Sequence, residues 1–196
     1  MNSLKIESFS DIEFLLEKPI SRKESILKTG DSKDYFVKVF DKAILFQIKD
    51  ENPILYKNSK DINFDKNKKI LAVENGELFL NIFNTMSKFG FEQFLYLSGY
   101  PNSLTQEFLL DKDVVLFLDY DIEAIKIYDS IKCKSKEFFK FPDIEKYFEN
   151  STLLNQKLYL KQRAYLEDNH IKLQWLIDLI KKHSGVLEQE IFIEAL

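Results

Sequence analysis

The sequence predicts an α/β protein built on a parallel sheet of about four strands. Three observations carry this expectation. Short, wholly apolar runs recur from residue 70 onward. Segments with helical spacing of apolar residues lie between them, and turn residues separate the two kinds. Such alternation implies parallel strands joined by right-handed crossovers.

Ile70-Leu71-Ala72-Val73 is the first expected strand. Leu78 to Phe89 follows with Leu78, Phe79, Ile82, Phe83 and Met86 at helical spacing, and Gly90 is placed to end that helix. Phe94-Leu95-Tyr96-Leu97 is the second strand. Ser98-Gly99-Tyr100-Pro101-Asn102 makes a turn, and Ser103 caps a helix running to Leu110. Val114-Val115-Leu116-Phe117-Leu118 is the third strand, apolar throughout as a strand buried on both faces must be. Ile122 to Ile131 reads as helix and Phe138 to Phe141 as a fourth strand. Pro142-Asp143-Ile144-Glu145 starts another helix, and residues 152–183 read as two more. Ile191-Phe192-Ile193 fits a strand or a helix end.

Residues 1–60 read as a small N-terminal α+β extension. Ser10-Asp11 caps a short helix, Ile12 to Glu17, which Pro19 stops. Thr29 to Ser32 signals a turn. Tyr35 to Phe40 and Ala43 to Ile48 read as a hairpin, and Ile54-Leu55-Tyr56 follows a turn at Asn52-Pro53. The polar stretch Asn58 to Lys69 is the best candidate boundary, which makes 68–196 the main domain with its C-terminal helices.

Composition bounds the function. The chain has 196 residues, 45% hydrophobic and 31% charged, a globular balance. Its formal net charge is −4, whereas a free-standing DNA-binding module is usually basic. Phosphate contacts would then come from a local patch or a partner. A single cysteine, Cys133, excludes a disulfide framework within the chain. No apolar run is long enough for a membrane span, and Met1 to Ser10 lacks the core of a signal peptide, so the cytoplasm is the expected compartment.

Three acids fall at expected strand ends. Glu74 follows Ile70–Val73, and Asp119 and Asp121 follow Val114–Leu118. Ligands in open parallel sheets bind just beyond the carboxyl ends of the strands. Carboxylates crowded there repel one another unless a cation sits among them, and hard oxygen donors select Mg²⁺ or Mn²⁺.

The same residues resemble a known family. Leu71-Ala72-Val73-Glu74-Asn75 looks like the first motif of Toprim domains, a hydrophobic strand ending in Glu. The Glu-Asn form is similar to the branch holding the Wadjet D subunit and the topoisomerase VI A subunit. Leu97-Ser98-Gly99-Tyr100-Pro101 resembles the Gly turn of that branch. Asp119-Tyr120-Asp121-Ile122-Glu123-Ala124 is similar to its Asp-x-Asp-Pro-Glu-Gly stretch, and Leu187-Glu188-Gln189-Glu190 to its closing element. The resemblance covers roughly residues 68–192. Departures are Asn75 where Gly is usual, Ile122 for Pro, Ala124 for Gly, and Leu118 before the first Asp.

The resemblance implies a Toprim-like sheet and a Mg²⁺-dependent (or Mn²⁺-dependent) nuclease that hydrolyses DNA. In that reading Asp119 and Asp121 hold the metal, Glu74 binds a second ion or exchanges a proton with the leaving oxygen, and Glu123 assists. Gly99, Glu188 and Glu190 are accessory candidates. The resemblance also implies partner subunits in a bacterial antiviral, anti-plasmid or genome-maintenance complex; a second copy of the chain is a further candidate partner. Lys66, Lys68, Lys69, Lys132 and Lys134 are candidate phosphate contacts. Topoisomerases add a nucleophilic Tyr from a separate domain. No equivalent is evident in residues 1–60, so water is the expected nucleophile.

Plainer readings compete. Strand-end acids are often merely solvated, Glu123 suits a helix N-terminus, and lysine clusters usually face solvent. His170 and His183 have no partner histidine in sequence. Lys132 and Lys134 flank Cys133 and would favour its thiolate. A non-catalytic interaction or assembly subunit with the same sheet is the main alternative. A haloacid-dehalogenase-type phosphatase is the third, because Phe117-Leu118-Asp119-Tyr120-Asp121 resembles its signature. Glu123 stands where that family needs Thr or Val.

Overall fold

The computed structural model describes residues 42–82, 86–166, 170 and 172–193. The expected helix at Ile12 to Glu17, the turn at Thr29 to Ser32 and the strand at Tyr35 to Phe40 lie outside them.

The described chain is α/β, as the sequence predicts, but its sheet is mixed and has six strands. In chain order they are β1 (Ile44–Ile48), β2 (Ile54–Tyr56), β3 (Ile70–Val73), β4 (Gln93–Tyr96), β5 (Asp113–Phe117) and β6 (Ser135–Phe138). Their order across the sheet is β2-β1-β4-β3-β5-β6. The last four are mutually parallel, whereas β1 runs antiparallel to both β2 and β4. The extra pair comes from residues assigned to the N-terminal extension. The polar stretch 58–69 therefore connects strands of one sheet and does not divide two domains. Gln93 ties it down from β4, accepting from the Asp65 amide at 2.6 Å and donating to the carbonyls of Asp65 and Lys68.

The central strands form where the sequence is uninterruptedly apolar. All four residues of β3 are buried, as are Val114 to Phe117 of β5. The fourth strand differs from expectation. It is Ser135-Lys136-Glu137-Phe138, an alternating edge strand, while Phe139 and Phe141 follow it. Phe138 meets Tyr128 and Trp175, with ring centroids 6.1 and 5.9 Å apart, and its neighbour Phe139 meets Phe89, Phe91 and Phe117 at 5.5, 5.9 and 5.0 Å. Consecutive side chains of an extended segment point to opposite faces, so these two rings reach the cores on either side of the sheet.

Among the described residues six helices flank it: α1 (Gly76–Asn81), α2 (Ser103–Leu109), α3 (Ile122–Ser130), α4 (Ile144–Glu149), α5 (Gln156–Gln162) and α6 (Gln174–His183). The first is shorter than expected within the described residues. Gly90, with φ +82°, closes the turn after a short 3-10 segment at Ser87–Phe89. Asn102, not Ser103, caps α2, its side chain accepting from the Thr105 amide. Ile191 and Phe192 end a 3-10 turn, not a strand. No helix among the described residues is long and apolar enough to cross a membrane.

After α6 the chain turns back across the sheet. Gly185 permits this: a Cβ there would lie 2.9 Å from Leu154 Cβ. The returning strap pairs Leu187 with Tyr120, the Tyr120 amide donating to Leu187 O at 2.9 Å and the Leu187 amide to Tyr120 O at 3.3 Å. It is thereby fixed beside the carboxyl end of β5.

Candidate metal and nucleic-acid site

The strand order decides where a site can form. The chain passes from β3 outward to β4, then returns to β5 on the other side of β3. The gap between the carboxyl ends of β3 and β5 is thus a topological switch point, where open α/β sheets bind ligands. Val73 pairs with Phe117, so Glu74 and Asp119 emerge there together.

Four hydrogen bonds organise them. The Glu74 amide donates to Phe117 O at 3.2 Å, and the Asp119 amide donates to Glu74 Oε2 at 3.3 Å. The Gln189 amide of the strap donates to Asp119 Oδ1 at 2.8 Å, while Gln189 Oε1 accepts from the Asn75 amide at 2.8 Å. Asn75 also caps α1 through Leu78 N–H and donates from Nδ2 to Glu190 Oε1 at 2.5 Å. Asp121 caps α3, accepting from the Ala124 amide at 2.7 Å, and its Oδ2 accepts from Gln162 Nε2 at 2.7 Å. Glu123 accepts from the Tyr100 hydroxyl at 2.8 Å and from Lys126 at 3.0 Å.

Electrostatics separate these acids. Burial, followed by the charges of Asp121, Glu123 and Glu190, pushes Glu74 up to about 7, against the opposing Asp119 amide. Burial and then the Glu74 charge push Asp119 up to about 8, against the Gln189 amide. Burial also raises Asp121, opposed by the Ala124 amide and Gln162. Glu123 is held below its ordinary value by Lys126 and Tyr100. The Tyr100 hydroxyl is pushed up to about 12, first by desolvation and then by its bond to Glu123. The buried acids thus receive neutral amide donors and share their charge uneasily.

That donor set suits a hard divalent cation in part. Glu74 and Asp119 present carboxylate oxygens at adjacent strand ends, and the Glu74 charge opposes ionisation of Asp119. Asp121 has both oxygens engaged. Among the described residues, no three His, Cys, Asp or Glu side chains already stand in a metal-ligating group. Next to Glu74 and Asp119, the acids Asp121 and Glu190 are engaged with Gln162 and Asn75.

Other candidates fall differently. Glu190 joins the cluster through Asn75, but Glu188 accepts from Asn155 Nδ2 at 3.0 Å and belongs to the strap's anchoring. Ser98 and Gly99 have φ of 57° and 81°, and a Cβ on Gly99 would meet nothing within 4 Å. Glycine there serves the turn conformation and not a close approach. Lys66, Lys68, Lys69, Lys132 and Lys134 precede β3 and β6 at the amino end of the sheet, opposite the acids. Lys68 pairs with Glu92, Lys69 with Glu137 and Lys134 with Asp113. Burial raises the Cys133 thiol, the reverse of the expected bias toward thiolate, and Cys133 Sγ donates to Ser135 O. His170 bonds Asp129, and His183 lies against Phe148. Neither reaches the acids.

Sequence reasoning overlooked Asn75, Gln162 and Gln189 as parts of the site. Their only signal was adjacency to acids, or none in the case of Gln162. No family model matches the chain, and no curated protein matches it at a significant level.

Proposed function

We propose that this chain is a divalent-metal-dependent nuclease of the Toprim type, hydrolysing DNA phosphodiesters. The observation that supports this most is the meeting of Glu74 and Asp119 at the switch point, both half-buried and both raised toward neutral pH. Asp119 and Glu74 would hold the ion, joined by Asp121 once it leaves Gln162. Mg²⁺ or Mn²⁺ bound there supplies charge balance for the carboxylates and electrophilic assistance at the phosphodiester. Where Asp119 and Asp121 alone held the ion, Glu74 would instead exchange a proton with the attacking water or the leaving oxygen. Glu123 and Tyr100 form the rim and orient the backbone. The wider reading makes the chain the DNA-cutting member of a cytoplasmic bacterial defence or genome-maintenance complex, working with partner subunits.

One observation favours a second reading. Asp121 is fully satisfied without a metal, which suits a non-catalytic assembly subunit that keeps the sheet alone. Plasmid incubated with purified protein and Mg²⁺ or Mn²⁺ separates the two. The nuclease predicts nicked or linear product that Asp119→Ala abolishes. The assembly subunit predicts intact plasmid, no heat of metal binding in calorimetry, and a stable complex with its partner.

A further inference from the structure

Away from the acids, two shallow grooves of about 460 and 520 Å³ adjoin at Phe89, which lines both. Their floor is aromatic. Phe89, Phe91, Phe139 and Tyr147 line it and are all half-buried, while the Phe138 ring turns to the other face. Their edge is basic. Lys68, Lys69, Lys88, Lys140 and Lys146 line the grooves, against only Glu137 and Asp143. With Glu92 and Glu145, which pair with two of these lysines, five lysines meet four acids, a local excess of one positive charge in a chain whose formal net charge is −4.

The grooves follow the sheet. Lys68 and Lys69 lie just before β3, Val115 lies within β5, and Phe141 follows β6. Phe141 then packs on Phe192 with ring centroids 4.5 Å apart, three residues from Gln189. The trench thus leads from the amino end of the sheet toward the strap that bonds Asp119.

We infer that this trench is a binding surface for single-stranded nucleic acid, whose bases stack on the open rings while its phosphates meet the lysines. Open aromatic faces beside a basic edge match the two chemical parts of an unpaired strand, and duplex DNA hides the first of them. Lys68, Lys69, Lys140 and Lys146 are paired with Glu92, Glu137, Glu145 and Asp143. Such exposed pairs contribute little to stability, so a phosphate can replace the carboxylate at small cost. The choice of occupant rests on the nucleic-acid reading above, but the trench uses none of the metal-site residues.

The test is fluorescence anisotropy of a labelled oligodeoxythymidylate with the full chain in EDTA, across a salt series. The expected result is salt-dependent binding that Asp119→Ala leaves unchanged. Replacing Lys69 and Lys140 together by Ala flattens the salt slope by about 1.4, at about 0.7 per phosphate contact. Phe89→Leu keeps the volume but removes the stacking face, and weakens binding on the order of tenfold. Circular dichroism melts establish that each variant is folded. Equal affinity for a duplex of the same length, no effect of Phe89→Leu, or equal binding of polyglutamate overturns the inference; the last points instead to an acidic protein partner. Plasmid cleavage without oligonucleotide binding removes the trench and leaves the nuclease; the converse removes the nuclease and leaves the trench.

Discussion

The two ends of the sheet treat charge in opposite ways. At the amino end, exposed acids meet lysines: Glu92 with Lys68, Glu137 with Lys69, and Asp113 with Lys134. At the carboxyl end, Glu74 and Asp119 are mostly buried, and their hydrogen bonds come from the backbone amides of Asp119 and Gln189. Solvated pairs are nearly neutral for stability. Buried carboxylates with no opposing charge are costly, and a protein retains them only where something offsets the cost. The contrast sets a solvated, charge-paired end against one where acids crowd without a cationic partner.

The sharpest way to break that contrast is Asp119→Asn, which keeps an acceptor for the Gln189 amide but removes the charge. Metal-dependent cleavage is expected to fall at least a hundredfold, as for loss of a principal electrostatic group. The metal-free protein should become more stable at pH 8, by about 1–3 kcal/mol in chemical denaturation. The sign follows from the raised values. Glu74 and Asp119 hold their protons more tightly folded than at their ordinary 4.5 and 3.8. Their contribution is complete below about pH 4 and is lost as the pH rises to about 8. Added Mg²⁺ should restore stability, and more at pH 8.5 than at pH 6, because protons compete with the ion. A stability profile unaffected by Mg²⁺ and unchanged in Asp119→Asn would sink the idea of a strained, cation-seeking end.

Gln189 sharpens the same comparison at intermediate size. It is fully buried, and its Nε2 lacks a hydrogen-bond partner. The Asn75 amide needs an acceptor at the other side-chain atom, so rotating the carboxamide would only exchange one mismatch for another. Gln189→Ala leaves a cavity and an unpaired Asn75 amide, and is expected to cost about 2–3 kcal/mol. Gln189→Met keeps the volume and removes the orphan donor but still leaves the Asn75 amide unpaired, and should cost about 1 kcal/mol less than Gln189→Ala. Urea titrations of both variants distinguish a positioning role from simple filling. The smallest effect belongs to the amino end, where Lys134→Ala should change stability by less than about 1 kcal/mol in the same assay.

Much of this arrangement was legible in the sequence where one force dominates. Ile70–Val73 and Val114–Phe117 are so continuously apolar that only central strands accommodate them, and the acids at their ends follow. Legibility failed where pairing depends on distant chain. Ile54-Leu55-Tyr56 is too short to announce itself as an edge strand, and Ile44–Ile48 has both edges taken, by β2 and β4. Ser135–Phe138 was hidden because an exposed edge strand carries charged residues, while the more apolar Phe138 to Phe141 attracted the assignment. Gln162 and Gln189 were invisible for a different reason. A neutral amide becomes part of an acidic site only through contacts 41 and 70 positions away along the chain, which no local pattern encodes.

The Tyr120–Leu187 bridge also has a consequence in time. Gln189 grips Asn75 across 114 positions of sequence. At synthesis rates of about 5–20 residues per second, Glu74 and Asn75 leave the ribosome roughly 6–23 s before the strap that organises them. Nascent chains therefore carry the carboxylates without their clamp. If the chain is the nuclease proposed above, its acids are organised only after the domain has closed.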